Sequence, residues 1–259
     1  MTYSGLVASH PVVPCAGVPI TACRPSEAAA DVVQLALGPA GADIHLCNAF
    51  TLALADTDPS LREVLITATR NFPDGKSVVW ANKLLHRERA LPSDRVYGPD
   101  LFLDALALTE DTEITHYLLG GTSDTLARLE RAIAARFPGV TIAGSESPPF
   151  RAPTESELSA RDDRVRSSGA HIVWVGLGTP KQDLEAARLA AATSVVTVAV
   201  GAAFDFVAGT KPQAPLWMQH NGLEWLFRLG AEPRRLWKRY LIGNAKFVAV
   251  VARQRNACT

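Results

Sequence analysis

Asp74, set between Pro73 and Gly75, admits one chemical role and one architectural role. A carboxylate held beside a sugar hydroxyl can take its proton as the oxygen attacks an anomeric carbon. The same tripeptide, following a stretch that reads as helix, is equally a plain turn of residues that favour bends. Asn48 poses the same choice, capping a loop or binding a sugar hydroxyl. Two glycine-bearing junctions, Gly120-Gly121-Thr122 and Gly176-Leu177-Gly178-Thr179-Pro180-Lys181, would place backbone N–H groups and a helix start where a phosphate could sit. Neither is a Gly-x-Gly-x-x-Gly fingerprint or a Walker loop, and tight strand-to-helix turns use glycine anyway. Asp56-Thr57-Asp58 has the Asp-x-Asp form of a metal-holding pair, although Asp58-Pro59 also makes an ordinary helix start. The six histidines form no His-Glu-x-x-His cluster, which argues against a zinc site.

These residues need elements to position them, and the chain alternates short β-type runs with helical patterns. Strands are predicted over 44–48, 114–119, 140–143, 170–175 and 195–200. Helices are predicted over 59–70, from Thr122 or Ser123 to 137, over 155–167 and over 181–192. Alternation of this kind predicts parallel α/β units, in which ligands gather at the carboxyl ends of the strands. The expectation is a Rossmann-like, mostly parallel sheet flanked by helices.

From Gly209 onward the sequence becomes rich in Trp, Arg and Pro. Residues 1–210 are read as the α/β core and 211–259 as a basic helical C-terminal appendage. The formal net charge of zero hides an asymmetry: residues 1–210 carry 17 basic and 24 acidic side chains, whereas 211–259 carry 9 and 2. The basic end calls for an anionic partner, whether a membrane surface, a phosphate-bearing substrate or nucleic acid. Residues 236–251 alternate aromatic and aliphatic groups with cations at helical spacing, which fits either a core-packing helix or one lying in an anionic membrane surface. Arg228, Arg234, Arg235 and Arg239 could neutralise a diphosphate. The longest apolar stretch, 195–208, is too short to span a bilayer and contains Asp205. Without a signal-peptide pattern, and with Cys15, Cys23, Cys47 and Cys258 in no Cys-x-x-Cys pair, a reducing cytoplasm is the simplest setting.

The order of short motifs adds a further layer. Asn48-Ala49-Phe50, Pro73-Asp74-Gly75, Val96-Tyr97-Gly98-Pro99-Asp100, Leu119-Gly120-Gly121, Phe137-Pro138-Gly139, Gly176-Leu177-Gly178-Thr179-Pro180-Lys181-Gln182, Gly201-Ala202-Ala203-Phe204-Asp205, Ala214-Pro215, Gly222-Leu223-Glu224-Trp225 and Glu232-Pro233-Arg234-Arg235 together resemble the WecG/TagA/CpsF glycosyltransferases. The likeness covers about residues 40–245. It implies an inverting enzyme that moves N-acetylmannosamine from a UDP donor to N-acetylglucosamine on a polyprenyl diphosphate, without a cofactor. It makes Asp74 the base and Asn48, Gln182, Arg228, Arg234 and Arg235 substrate-binding residues. The nucleotide site would draw on Gly120, Gly121, Gly176, Gly178, Lys181, Gly201 and Asp205.

The resemblance also implies an appendage that docks on the cytoplasmic face of the membrane and closes the site. The subunit number is left open, a homo-oligomer included. The family commonly has Thr-x-Asn where this chain has Leu46-Cys47-Asn48, and Pro-Lys-Gln-Glu where Asp183 follows Gln182 here. The first departure removes a hydroxyl near the donor sugar, leaving room for another UDP-sugar. Two other functions compete. A nicotinamide-dependent oxidoreductase should carry Gly-x-Gly-x-x-Gly with an acidic residue about twenty positions on, and this chain lacks that pattern. A nucleic-acid-binding module would make the basic tail the functional part and Asp74 dispensable.

Overall fold

Apolar runs buried on both faces form the centre of a parallel sheet. The computed structural model describes residues 10–257, so Cys258 lies outside the described residues. Strands β1 (Val12–Cys15) and β2 (Val18–Thr21) form an antiparallel hairpin. The other six are β3 (Ala42–Cys47), β4 (Arg70–Pro73), β5 (Thr115–Gly120), β6 (Thr141–Glu146), β7 (Ile172–Gly176) and β8 (Val196–Ala199). They pair in parallel in the order β4-β3-β8-β7-β5-β6, the Rossmann-like sheet expected from the alternation.

Helices α1 (Pro25–Ala36), α2 (Ala49–Ala55), α3 (Pro59–Thr67), α4 (Lys76–Leu85) and α5 (Gly98–Thr109) precede β5. Then follow α6 (Ser123–Arg136), α7 (Glu155–Ser168), α8 (Lys181–Thr193) and α9 (Ala203–Val207). One sheet face carries α1, α5, α6 and α9, whose Val32, Phe102, Leu129 and Phe204 pack with Ile44, Leu118 and Trp174. Phe102 meets Trp174 edge-on, 4.9 Å between ring centres. The other face carries α7 and α8 through Val165, Ala186 and Leu189.

The largest departure from the sequence reading lies just before Asp74. The predicted helix 59–70 stops at Thr67, and Arg70–Pro73 is a strand paired with β3. Asp74 therefore follows a strand, not a helix. Of Arg-Asn-Phe-Pro only Phe72 favours a strand locally; distant partners decide it. Asn71 Nδ2 donates to the carbonyls of Leu65 (2.6 Å) and Pro19 (3.0 Å), and Arg70 Nε donates to Asp31 at 2.6 Å.

After α9 come α10 (Leu216–His220), α11 (Glu224–Ala231), α12 (Pro233–Trp237), a π-helical turn (Lys238–Ile242) and α13 (Gly243–Ala257). The apolar side of α13 is core: Phe247, Val250 and Val251 pack with Leu52, Leu61 and Ile20. Arg253 on α13 pairs with Asp56 at 2.6 Å, while Trp237, Leu241 and Val248 stay exposed. Among the described residues, no helix is long and apolar enough to cross a membrane.

Candidate active site

The carboxyl ends of β3, β4, β7 and β8 open into a cavity of about 1300 Å³, spacious for one small ligand and sufficient for a donor and an acceptor together. Asn48, the residue after β3, caps α2: its Oδ1 accepts from the backbone N–H of Phe50 (3.0 Å) and Thr51 (3.2 Å). With the carbonyl oxygen so engaged, its Nδ2 points to Asp74 Oδ2 at 3.5 Å. Asp74 follows β4, and its backbone N–H continues the ladder to Cys47 O at 2.9 Å. Capping and ligand chemistry are thus two uses of one Asn side chain.

Asp74 Oδ1 is buried and makes no hydrogen bond among the described residues. Burial pushes the carboxyl up to about 6; the Arg95 cation opposes this, the Glu224 carboxylate adds to it, and the Asn48 amide and the Gly98 backbone N–H draw it back. A carboxylate poised there is ionised at neutral pH and holds a proton more firmly than an exposed one. Those are the properties of a general base.

The loop after β7 forms the next wall. Gln182, in the first turn of α8, folds back so that its Oε1 accepts from the Gly178 N–H at 3.0 Å, and it remains in contact with the cavity. Gly178 has φ +79° with no heavy atom near where a side chain would stand, leaving open space toward the cavity. Asp183, where the family commonly has Glu, is fully buried and accepts from His45 Nδ1 at 3.2 Å. His45 Nε2 meets Asp43 Oδ2 at 3.1 Å. Burial alone would lower the His45 pKa, but the hydrogen bonds to Asp183 and Asp43 raise it to about 9. The imidazolium thereby ties β3 to the start of α8.

Asn48, Asp74, Gly121, Gly176, Gly178, Lys181, Gln182, Gly201, Asp205 and Arg228 line this one cavity. Asp205 is paired with Lys211 Nζ at 2.7 Å, and the Arg228 guanidinium lies 5.5 Å from the Phe206 ring centre. Gly120 stands behind the wall, where a side chain would meet Gly176 O at 2.5 Å. Arg234 is exposed on α12, away from the lining, and the Arg235 side chain lies outside the described residues. In the Asp-x-Asp motif, Asp58 caps α3 and Asp56 pairs with Arg253.

Sequence reasoning missed three lining residues, Arg95, Tyr97 and Glu224. Arg95 Nη1 donates to Glu224 Oε2 at 2.7 Å, Tyr97 Oη donates to Glu224 Oε1 at 3.1 Å, and the Arg95 guanidinium lies 4.0 Å from the Tyr97 ring centre. The signal was present in Tyr97-Gly98-Pro99 and Leu223-Glu224-Trp225, which marked the resemblance without suggesting a role.

A parallel α/β sheet whose carboxyl edge combines a buried basic carboxylate, an amide that orients it and several cations around one large cavity has the makings of a group-transfer enzyme. The profile of the Glycosyl transferase WecG/TagA/CpsF family matches residues 13–258, nearly the whole chain. The protein belongs to that family, and is therefore a glycosyltransferase of cell-surface polysaccharide synthesis.

Proposed function

We propose that the enzyme transfers N-acetylmannosamine from UDP-N-acetylmannosamine to N-acetylglucosamine carried on a polyprenyl diphosphate, with inversion at the anomeric carbon. The observation that carries the reading is Asp74: a carboxylate with one buried, unpartnered oxygen, just after a strand and lining the cavity. Asp74 takes the proton of the acceptor hydroxyl, whose oxygen attacks C1 of the donor sugar from the face opposite UDP. The bond from C1 to the diphosphate breaks, and UDP leaves with the electron pair. The turn before α8 offers backbone N–H groups, and Lys181 and Arg228 offer positive charge, for the diphosphate.

The surplus of cations in 211–259, beside exposed Leu216, Trp217, Trp237, Leu241 and Ile242, supports contact with an anionic membrane face, where a lipid-linked acceptor resides. Leu46, in place of the threonine common in the family, is apolar where it touches the cavity, so another UDP-sugar is the main competing donor.

The test is UDP release from a panel of UDP-sugars, with and without a short-chain lipid-diphosphate-N-acetylglucosamine. Release from UDP-N-acetylmannosamine that requires the acceptor supports the reading. Acceptor-dependent release from a different UDP-sugar overturns the donor assignment, and release that ignores the acceptor overturns the acceptor assignment.

A further inference from the structure

Glu224 opens α11, in the C-terminal part of the chain, yet its side chain is buried against the loop that precedes α5. One carboxylate oxygen takes Arg95 Nη1 at 2.7 Å and the other takes Tyr97 Oη at 3.1 Å. Gln213 Nε2 donates to the same Tyr97 oxygen at 3.3 Å, so two residues beyond position 210 hold this tyrosine. Arg95, flat on the Tyr97 ring, is fixed in plane as well as in charge.

Arg95 lines the same cavity as Asp74, and its charge opposes the effect of burial on that carboxyl; an Arg95 free to pair with Asp74 would quench it as a base. A guanidinium bonded directly to a carboxylate lowers its proton affinity and occupies the lone pairs that must receive the proton. The remaining titratable groups around Asp74 are Tyr97 on the Arg95 loop, Cys47 at the end of β3, and Lys76 at the start of α4. Glu224 is the nearby acidic group that competes for Arg95.

Resting on the assignment of Asp74 as base, we propose that Glu224 is a positioning residue: by holding Arg95 and Tyr97 from the C-terminal segment, it keeps Arg95 off Asp74 and so preserves the base. Its own negative charge acts in the same direction, since it raises the proton affinity of Asp74. Without the Glu224 carboxylate, Arg95 is left to turn to Asp74, which makes Asp74 a weaker base.

The experiment is the pH dependence of acceptor-dependent transfer for the wild type, Glu224→Gln and Glu224→Asp, beside a carboxyl-carbon NMR titration of Asp74, assigned by its loss in Asp74→Asn. In Glu224→Gln the acid limb and the Asp74 titration should both move down by about one pH unit, with transfer at neutral pH falling roughly tenfold. Glu224→Asp, which keeps the charge, should leave both near the wild type. An Asp74 titration that does not move in Glu224→Gln overturns the proposal, as does a rate loss equal at every pH. Should Glu224→Gln fail to fold, Tyr97→Phe removes one of the two hydrogen bonds to Glu224 and should shift the titration in the same direction by less; no shift there overturns the proposal as well. If instead Asp74→Asn transfers normally, the base assignment fails on its own, while the NMR titration still decides whether Glu224 governs Asp74.

Discussion

Asn48 and Asp74 end neighbouring parallel strands, and the amide of one meets the carboxylate of the other, Nδ2 to Oδ2, at 3.5 Å. The contact exists because Asn48 spends its oxygen on the α2 cap, which fixes the rotamer and leaves only N–H groups facing Asp74. Local helix chemistry thus sets the environment of the base.

Asn48→Asp keeps an excellent cap but places a second carboxylate beside the first. Stability near neutral pH should fall, and the acid limb of the rate profile should move upward, because like charges disfavour ionisation in the folded state. Asn48→Ala should cost about 1 kcal/mol of stability through the lost cap and lower the rate without raising the limb. Denaturant unfolding together with a pH–rate profile separates the two.

Asp74 should be costly to the fold. Its carboxyl prefers the neutral form in the native state, so its contribution is most favourable below 3.8 and is lost as pH rises to about 6. At neutral pH the penalty is about 3 kcal/mol, taking 1.36 kcal/mol per unit. Asp74→Asn should therefore be more stable than the wild type at pH 7 to 8, with the gain shrinking toward pH 4. A Tm series across that range checks it.

His45 has the opposite sign. Its folded-state pKa is raised, so the stability it contributes is fully present below about 6.5 and is lost as pH climbs to about 9. His45→Gln should destabilise by roughly 3 kcal/mol near pH 6, because Asp43 and Asp183 are left facing each other across a neutral side chain. The difference from the wild type should narrow by pH 9, again read from unfolding curves. Because Asp183 adjoins Gln182, the rate should fall as well.

Gly120→Ala tests whether that glycine is architectural. With φ at +128° and Gly176 O at 2.5 Å from the added carbon, the substitution should cost at least 2 kcal/mol or so. Any fall in transfer should follow the lost fold: the fraction that remains folded should bind UDP as the wild type does. Unfolding curves and UDP titration together check it.

The parallel sheet and the caps at Asp58 and Thr122 were legible in the sequence, since apolar runs, cap residues and glycine junctions are local signals, whereas the grouping of Asn48, Asp74 and Gln182 came from the order of motifs that carries the family resemblance. Strand β4 was not, because Arg70 and Asn71 are held there by Asp31, Leu65 and Pro19 and not by their own propensity. The hairpin of β1 and β2 was hidden in the same way: its turn places Ala16, a poor turn former, at positive φ. The pairing of Arg95 with Glu224, 129 residues apart, left no trace in spacing or periodicity. Pattern reading recovers what neighbours in the chain decide and misses what neighbours in space decide.

The most direct test of the account is a single comparison at neutral pH: acceptor-dependent sugar transfer by the wild type and by Asp74→Asn, with equal folded fractions confirmed by thermal unfolding. A loss of about 10² to 10⁴-fold, with UDP binding intact, is the result expected of a general base. Transfer by Asp74→Asn within a few-fold of the wild type would contradict it.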